Sequence, residues 1–331
     1  MPETSSYARA VGAALRLLLT EDPRVFLAGE DIGVYGGAFG ITDGLVQEFG
    51  EDRVRDTPIS EEAIIGLAVG AAITGLRPVV EIQFFDFIVN AMDPLVNQAA
   101  KLHFMYGGHV DVPMVVRTAG GGGTGAAAQH SQSLEAWFAH VPGLKVVLPA
   151  TPQDAYDLLL ASVLDPNPVV FVEHKLLYKT EGPFESRAHI AETPARIGEA
   201  KVIRPGTDLT IAAYSIMTVK ALEAAERLAD AGIDAEVVDL RTVRPLDIKT
   251  VRGSVKKTGR LLVSHEAPTA VGVGAEVVAG VVESDALDYL LAPVRRVCGK
   301  DNPMPYAKEL ERATIPQVDD IEKAAKELMN A

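Results

Sequence analysis

Short apolar runs alternate with segments of helical periodicity along the chain, and this pattern constrains the fold more than any other feature. Runs at Val25–Ala28, Pro78–Phe85, Met114–Arg117, Leu144–Leu148 and Val169–Glu173 are mostly apolar, each with at most two polar residues, instead of strictly alternating. Strands of that kind are covered on both faces, as in a parallel sheet flanked by helices. The intervening segments read as helices. Tyr7, Val11, Ala14, Leu15 and Leu18 recur at helical spacing, Glu61–Leu76 reads as a buried helix, and Ala91–Met105 follows the next strand. Thr151-Pro152 opens a helix to Leu164, with Thr151 as N-cap and Pro152 at the first helical position.

A second alternation runs through strand Leu209–Ala213, helix Thr218–Ala231, strand Glu236–Leu240, helix Leu246–Lys257 and strand Arg260–Ser264, with a last strand at Val294–Val297. The expected architecture is therefore α/β in two parts: a larger domain over residues 1–180, a linker over 181–204 and a smaller domain over 205–331. The linker is expected because Gly, Pro and charges break its periodicity. The 31 Lys plus Arg against 45 Asp plus Glu give a net charge of −14, which repels phosphate backbones and argues against nucleic-acid binding. The uncharged stretch Ala63–Leu76 is too short to span a membrane. The N-terminus lacks the features of a signal peptide. A single cysteine, Cys298, excludes an internal disulfide and a cysteine-based zinc site and suits the cytoplasm.

Several segments carry candidate chemistry. In Asp56-Thr57-Pro58-Ile59-Ser60-Glu61-Glu62, Ser60 reads as a helix cap and the two glutamates as complements to the helix dipole; alternatively, one glutamate faces a cavity and exchanges a proton with a ligand. The glycine-rich run Gly120–Gln132 follows a buried strand and lacks the Gly-Lys-Ser/Thr ending of a phosphate loop. His130 within it lies past a strand end, where open α/β sheets place ligands. Of Phe84, Phe85 and Phe87, two are expected in the core and one against a flat heterocycle. Gly66 and Gly70 would admit close approach of another helix. Asp165-Pro166-Asn167-Pro168 is a turn whose oxygens suit a hard cation.

The strings DTPISE, AAQHSQS, PGLKVV, EHKLLY and VVDLRTVRPLD, in this order along essentially the whole chain, resemble the beta subunits of the thiamine-diphosphate-dependent component of 2-oxo acid dehydrogenase complexes. These include pyruvate, acetoin and branched-chain enzymes. The resemblance implies a transketolase-like pyrimidine-binding domain followed by a transketolase C-terminal domain. It implies a cofactor-activating carboxyl at Glu61, an aminopyrimidine platform at Phe87, pocket positions at Ile59 and Gln83, and an active-site histidine at His130. It also implies a potassium site at Met114, Ser162, Val163, Asp165 and Asn167. The family's chemistry is oxidative decarboxylation with acyl transfer to a lipoyl group. The chain contains no Gly-Asp-Gly and no Asn-Asn, so the half-site for Mg2+ and diphosphate is expected on a separate alpha subunit, in an α2β2 heterotetramer docking on a lipoyl-bearing acyltransferase core. Pyruvate or acetoin is the expected substrate, with a branched-chain oxo acid, half of a split transketolase or a deoxyxylulose-phosphate synthase-like enzyme, and a non-catalytic scaffold as the alternatives.

Overall fold

The computed structural model describes residues 3–331; Met1 and Pro2, at the start of the first expected domain, lie outside the described residues. The chain divides into two units, one formed by residues 1–120 and 137–197, the other by 121–136 and 198–331. The division departs from the expected one in a specific way. The glycine-rich segment 121–136, expected within the first domain, packs with the second unit.

In the first unit, strands β1 (Val25–Gly29), β2 (Val54–Asp56), β3 (Arg77–Ile82), β4 (Val115–Gly120), β5 (Lys145–Val147) and β6 (Val169–His174) are ordered β5-β6-β4-β3-β1-β2. All these pairings are parallel. Every residue of β1, β4 and β6 is buried, which is why their sequences are mostly apolar, with charged exceptions such as Arg117 and Glu173 paired to each other. Helix α1 (Tyr7–Glu21) buries the Tyr7, Val11, Ala14, Leu15 and Leu18 face, and Ser6 caps it by accepting from the Arg9 N–H. Helix α2 (Glu61–Ile73) begins where expected and stops at Thr74, before Gly75. Helix α3 (Pro152–Leu164) has the expected cap, the Thr151 side chain accepting from the Asp154 N–H.

The expected 181–204 linker holds more structure than its composition suggests. Glu181–Phe184 pairs antiparallel with Glu3–Ser6, and Lys201–Arg204 is strand β7 of the second sheet. In these short edge elements backbone pairing, not an apolar pattern, defines the strand. The expected helix Ala91–Met105 is a 3-10 turn over Phe85–Ala91, a π turn over Asp93–Ala99 and an α turn over Ala100–Met105. Pro94 near its start removes an amide donor that a regular helix would use.

The second unit contains β8 (Leu209–Ala213), β9 (Ala235–Asp239), β10 (Leu261–Pro268) and β11 (Arg295–Gly299), ordered β11-β10-β8-β9-β7. All pairings are parallel except β7 with β9. Helices α4 (Ile216–Asp230), α5 (Ile248–Thr258), α6 (Val273–Val282), α7 (Lys308–Thr314) and α8 (Val318–Met329) belong to this unit. Among the described residues no helix is long and apolar enough to cross a membrane.

Candidate active site

Open parallel sheets bind ligands beyond the carboxyl ends of their strands, at the point where the strand order reverses. In the first sheet β1 is flanked by β2 on one side and β3 on the other, so the reversal lies beside β1. The residues that follow these strands are Glu30 after β1, the Asp56–Glu61 run after β2, and Gln83 to Phe87 after β3.

Glu61 is the first residue of α2 and is 9% exposed, whereas Glu62 faces out. Ser60 makes no side-chain capping bond, contrary to expectation. Glu30 is buried, and its Oε1 has no hydrogen-bond partner. Burial pushes the Glu30 carboxyl above its usual range, and the neighbouring Glu61 pushes it further in the same direction. Gln83 Nε2 donates to the Glu30 carbonyl at 3.3 Å. A buried pair of carboxylic groups therefore stands at the reversal point, with Gln83 bonded to the Glu30 backbone.

The segment that carries Glu61 is tied to the loop after β1. Thr57 N–H donates to the Gly29 carbonyl at 2.9 Å, and Gly33 N–H donates to Asp56 Oδ1 at 2.6 Å. A Cβ on Gly33 would lie 2.5 Å from Asp56 Oδ2, so only glycine permits this closure. Ile59, two residues before Glu61, is 82% exposed.

Phe87 ends a chain of rings. It meets Phe84 edge-on at 5.9 Å, Phe84 meets Phe39 edge-on at 6.1 Å, and Phe39 lies tilted on Tyr178 at 4.8 Å. The Lys175 ammonium sits 5.5 Å over Phe84. Phe85 points the other way and is fully buried against Phe138. One phenylalanine is thus in the core and two are partly exposed, where two core residues and one platform were expected.

Behind β3 lies a buried charge cluster. Arg117 makes two bonds to Glu173, at 2.7 and 3.0 Å, and one to Glu81 at 2.7 Å. Burial opposes the charge on Arg117, but Glu173 and Glu81 outweigh it and hold the guanidinium protonated. The Tyr178 phenol is pushed well above its ordinary value by burial and then by Glu173.

His130 is carried by the second unit and is half-buried. Its loop is closed at the base by a Gly121 N–H bond to the Gln132 carbonyl at 3.2 Å. Gly122 N–H donates to Glu266 Oε1 at 2.5 Å, and Gly123 and Gly125 donate to the two carboxylate oxygens of Glu311 at 2.8 and 2.9 Å. Beyond His130, Tyr214 donates its hydroxyl to Glu135 at 2.6 Å.

The residues expected around potassium gather at the end of α3, but their oxygens are already engaged. The Met114 carbonyl accepts from Val169 N–H, and the Val163 carbonyl accepts from Arg77. Asp165 uses Oδ1 for the Asn167 backbone and side-chain amides and Oδ2 for an ion pair with Lys145. The Ser162 hydroxyl donates to the Leu158 carbonyl. These residues fit a cation only in part, because Lys145 already neutralises the one carboxylate.

Glu30, Arg117, Glu266 and Glu311 were not singled out in the sequence. Glu30 carried a legible signal, since it directly follows a fully buried strand. Glu311 carried none, because its partners are 186 and 188 residues away.

The family models set the class of both units as transketolase-like. Residues 3–181 match the transketolase pyrimidine-binding domain and residues 198–321 the transketolase C-terminal domain. The sequence is 49% identical over 317 residues to a rice protein, the mitochondrial pyruvate dehydrogenase E1 component subunit beta-2 of Oryza sativa subsp. japonica, covering 96% of this chain and 84% of that one. It is 44% identical over 327 residues to the pyruvate dehydrogenase E1 component subunit beta of Rhizobium meliloti (strain 1021), covering 98% and 70%. A solved structure described as a split gene transketolase, inactive beta4 tetramer, shares the fold with a TM-score of 0.80 at 22% identity over 98% of both chains. The chain belongs to the family of pyruvate dehydrogenase E1 component beta subunits.

Proposed function

We propose that the chain is the beta subunit of a thiamine-diphosphate-dependent pyruvate dehydrogenase, an oxidoreductase component that decarboxylates pyruvate and acetylates a lipoyl group. Identity of 44 to 49% to named pyruvate dehydrogenase beta subunits over nearly the whole chain carries the reading. The orphaned, buried Glu30 oxygen beside Glu61 supports a polar ligand at this crevice. When bound, thiamine diphosphate supplies the electron sink for decarboxylation.

Glu61 would hold the aminopyrimidine through a hydrogen bond from its carboxyl, which burial would strengthen. Burial and the neighbouring Glu61 both push the Glu30 carboxyl upward, so a negative charge on Glu30 beside Glu61 is disfavoured. Phe87, backed by Phe84 and Phe39, offers an aromatic edge for the pyrimidine, and Ile59 and Gln83 line the rest of that half-site. His130 exchanges a proton with the reacting acyl group.

An alpha subunit, in an α2β2 assembly, brings the Mg2+ and diphosphate half. An uncovered apolar surface supports a partner chain: Ile59, Leu67 and Ile73 are 82%, 47% and 42% exposed on or beside the helix of Glu61. On the same helix a Cβ at Gly66 or Gly70 would meet nothing within 4 Å, so the close approach expected there is left open for such a partner. Potassium would share its oxygens with Lys145 and Arg77, and no step depends on it. A lipoyl-bearing acyltransferase core and a cytoplasmic location complete the proposal.

The test is reconstitution with the alpha subunit. Glu61→Gln should keep the fold and lose roughly 100- to 10,000-fold in pyruvate decarboxylation. Near-normal turnover in that variant would remove the mechanism. A substrate panel of pyruvate, branched-chain 2-oxo acids, acetoin and sugar phosphates decides the substrate.

A further inference from the structure

We propose that Glu311 is a positioning residue for the loop that carries His130; the proposal rests on the reading of His130 as an acid–base group. Glu311 is 2% exposed and sits on α7, far along the chain from the loop. Both its carboxylate oxygens accept backbone N–H bonds, from Gly123 at 2.8 Å and Gly125 at 2.9 Å. Its backbone is helical, the Glu311 N–H donating to the Ala307 N-cap carbonyl at 2.8 Å.

A run of glycines has more backbone freedom than any other sequence, so its conformation needs an external constraint. A buried carboxylate needs donors in turn, because an unpaired buried charge is strongly disfavoured. Each need is met by the other. The chemistry also specifies glutamate over glutamine. An amide in its place would turn an NH2 toward one of the two N–H groups and keep only one acceptor. Glu266 on Gly122 and Tyr214 on Glu135 brace the same segment on either side, which places Glu311 within a set of anchors and not at an isolated contact.

The experiment uses the tetramer reconstituted with the alpha subunit. Glu311→Gln should lower kcat about 10- to 100-fold, as small displacements of a reacting group do, with KM for pyruvate within about twofold. In a His130→Ala background Glu311→Gln should cause little further loss, because its effect acts through His130. A merely structural role would instead reduce activity equally in both backgrounds. Wild-type kcat in Glu311→Gln overturns the proposal.

Amide hydrogen exchange on the unmutated complex keeps the test independent of whether the variant assembles. Protected Gly123 and Gly125 amides around a fast-exchanging, exposed Thr124 support the anchor. Equal, fast exchange at all of them overturns it. Full turnover in His130→Ala with the protected pattern intact also overturns the positioning role, and does so by removing the reading of His130 while leaving the anchor itself standing.

Discussion

Lowering the pH from 7 to 4 should destabilise the second unit through one buried side chain, His265. The ring is 0% exposed. Nδ1 faces the Ala267 carbonyl at 3.0 Å and must carry the proton, because a carbonyl only accepts. Nε2 is then the acceptor of the Cys298 thiol at 3.3 Å. Tyr214 stacks on one face at 6.0 Å, and Cβ atoms at Gly272 and Gly274 would lie 2.6 and 2.8 Å from the ring. No room remains for water, and burial lowers the imidazole pKa from 6.5 to about 4.

The sign follows from the depressed folded value. The unfolded chain takes the proton near pH 6.5 and the folded chain only near pH 4, so stability is full above 6.5 and is lost as the pH falls toward 4. At about 1.4 kcal/mol for each tenfold change in proton affinity, this is about 3 kcal/mol. Urea unfolding of the wild type and of His265→Asn between pH 7 and 4 measures it. Asparagine leaves a cavity and lowers stability at neutral pH, but it does not titrate. The wild-type advantage should therefore shrink by about 3 kcal/mol over that range. Parallel curves would refute the reasoning.

Three other outcomes are expected. Arg117→Met leaves Glu173 and Glu81 buried without their counter-ion and should lower unfolding stability by about 3–5 kcal/mol; a loss below about 1 kcal/mol would mean that the cluster is not desolvated as described. Because the Glu30 carboxyl is raised by burial and by Glu61, its ionisation opposes folding above the ordinary carboxylate range. Glu30→Gln should accordingly raise the melting temperature at pH 8, with the difference closing near pH 4, whereas a lower melting temperature at pH 8 would contradict this. Burial raises the Cys298 thiol pKa, so alkylation at neutral pH should be slower than for a free thiol, and rapid labelling in the folded protein would count against it.

The repeating architecture was legible because it rests on local chemistry. Fully buried strands such as Val169–His174 are mostly apolar, and the Thr151-Pro152 start follows from capping alone. Elements whose stability comes from distant partners were not legible. Glu3–Ser6 is a strand only because Glu181–Phe184 lies beside it, and neither has a periodic pattern. Ser60 had the residue type of a cap, yet its side chain makes no capping bond, and what a side chain bonds depends on tertiary surroundings that propensity does not report. Helices α6, α7 and α8 fell outside the strand–helix alternation that was followed along the chain. In the first unit the residue types at 61, 83 and 87 were readable as candidates, and His130 was readable in the glycine-rich run of the second. The charges and amides that hold them were not, because they come from positions far away in the chain.

The excursion of residues 121–136 into the second unit has a consequence for how the polypeptide is made. Gly123 leaves the ribosome 188 residues before Glu311. At typical translation speeds that is a wait of roughly ten to forty seconds. For that interval the Gly123 and Gly125 amides lack the carboxylate that clasps them. A truncated product ending before Glu311 would keep His130 yet lack the residue that fastens its ribbon, and a gene cut between the two units would leave these halves on separate fragments.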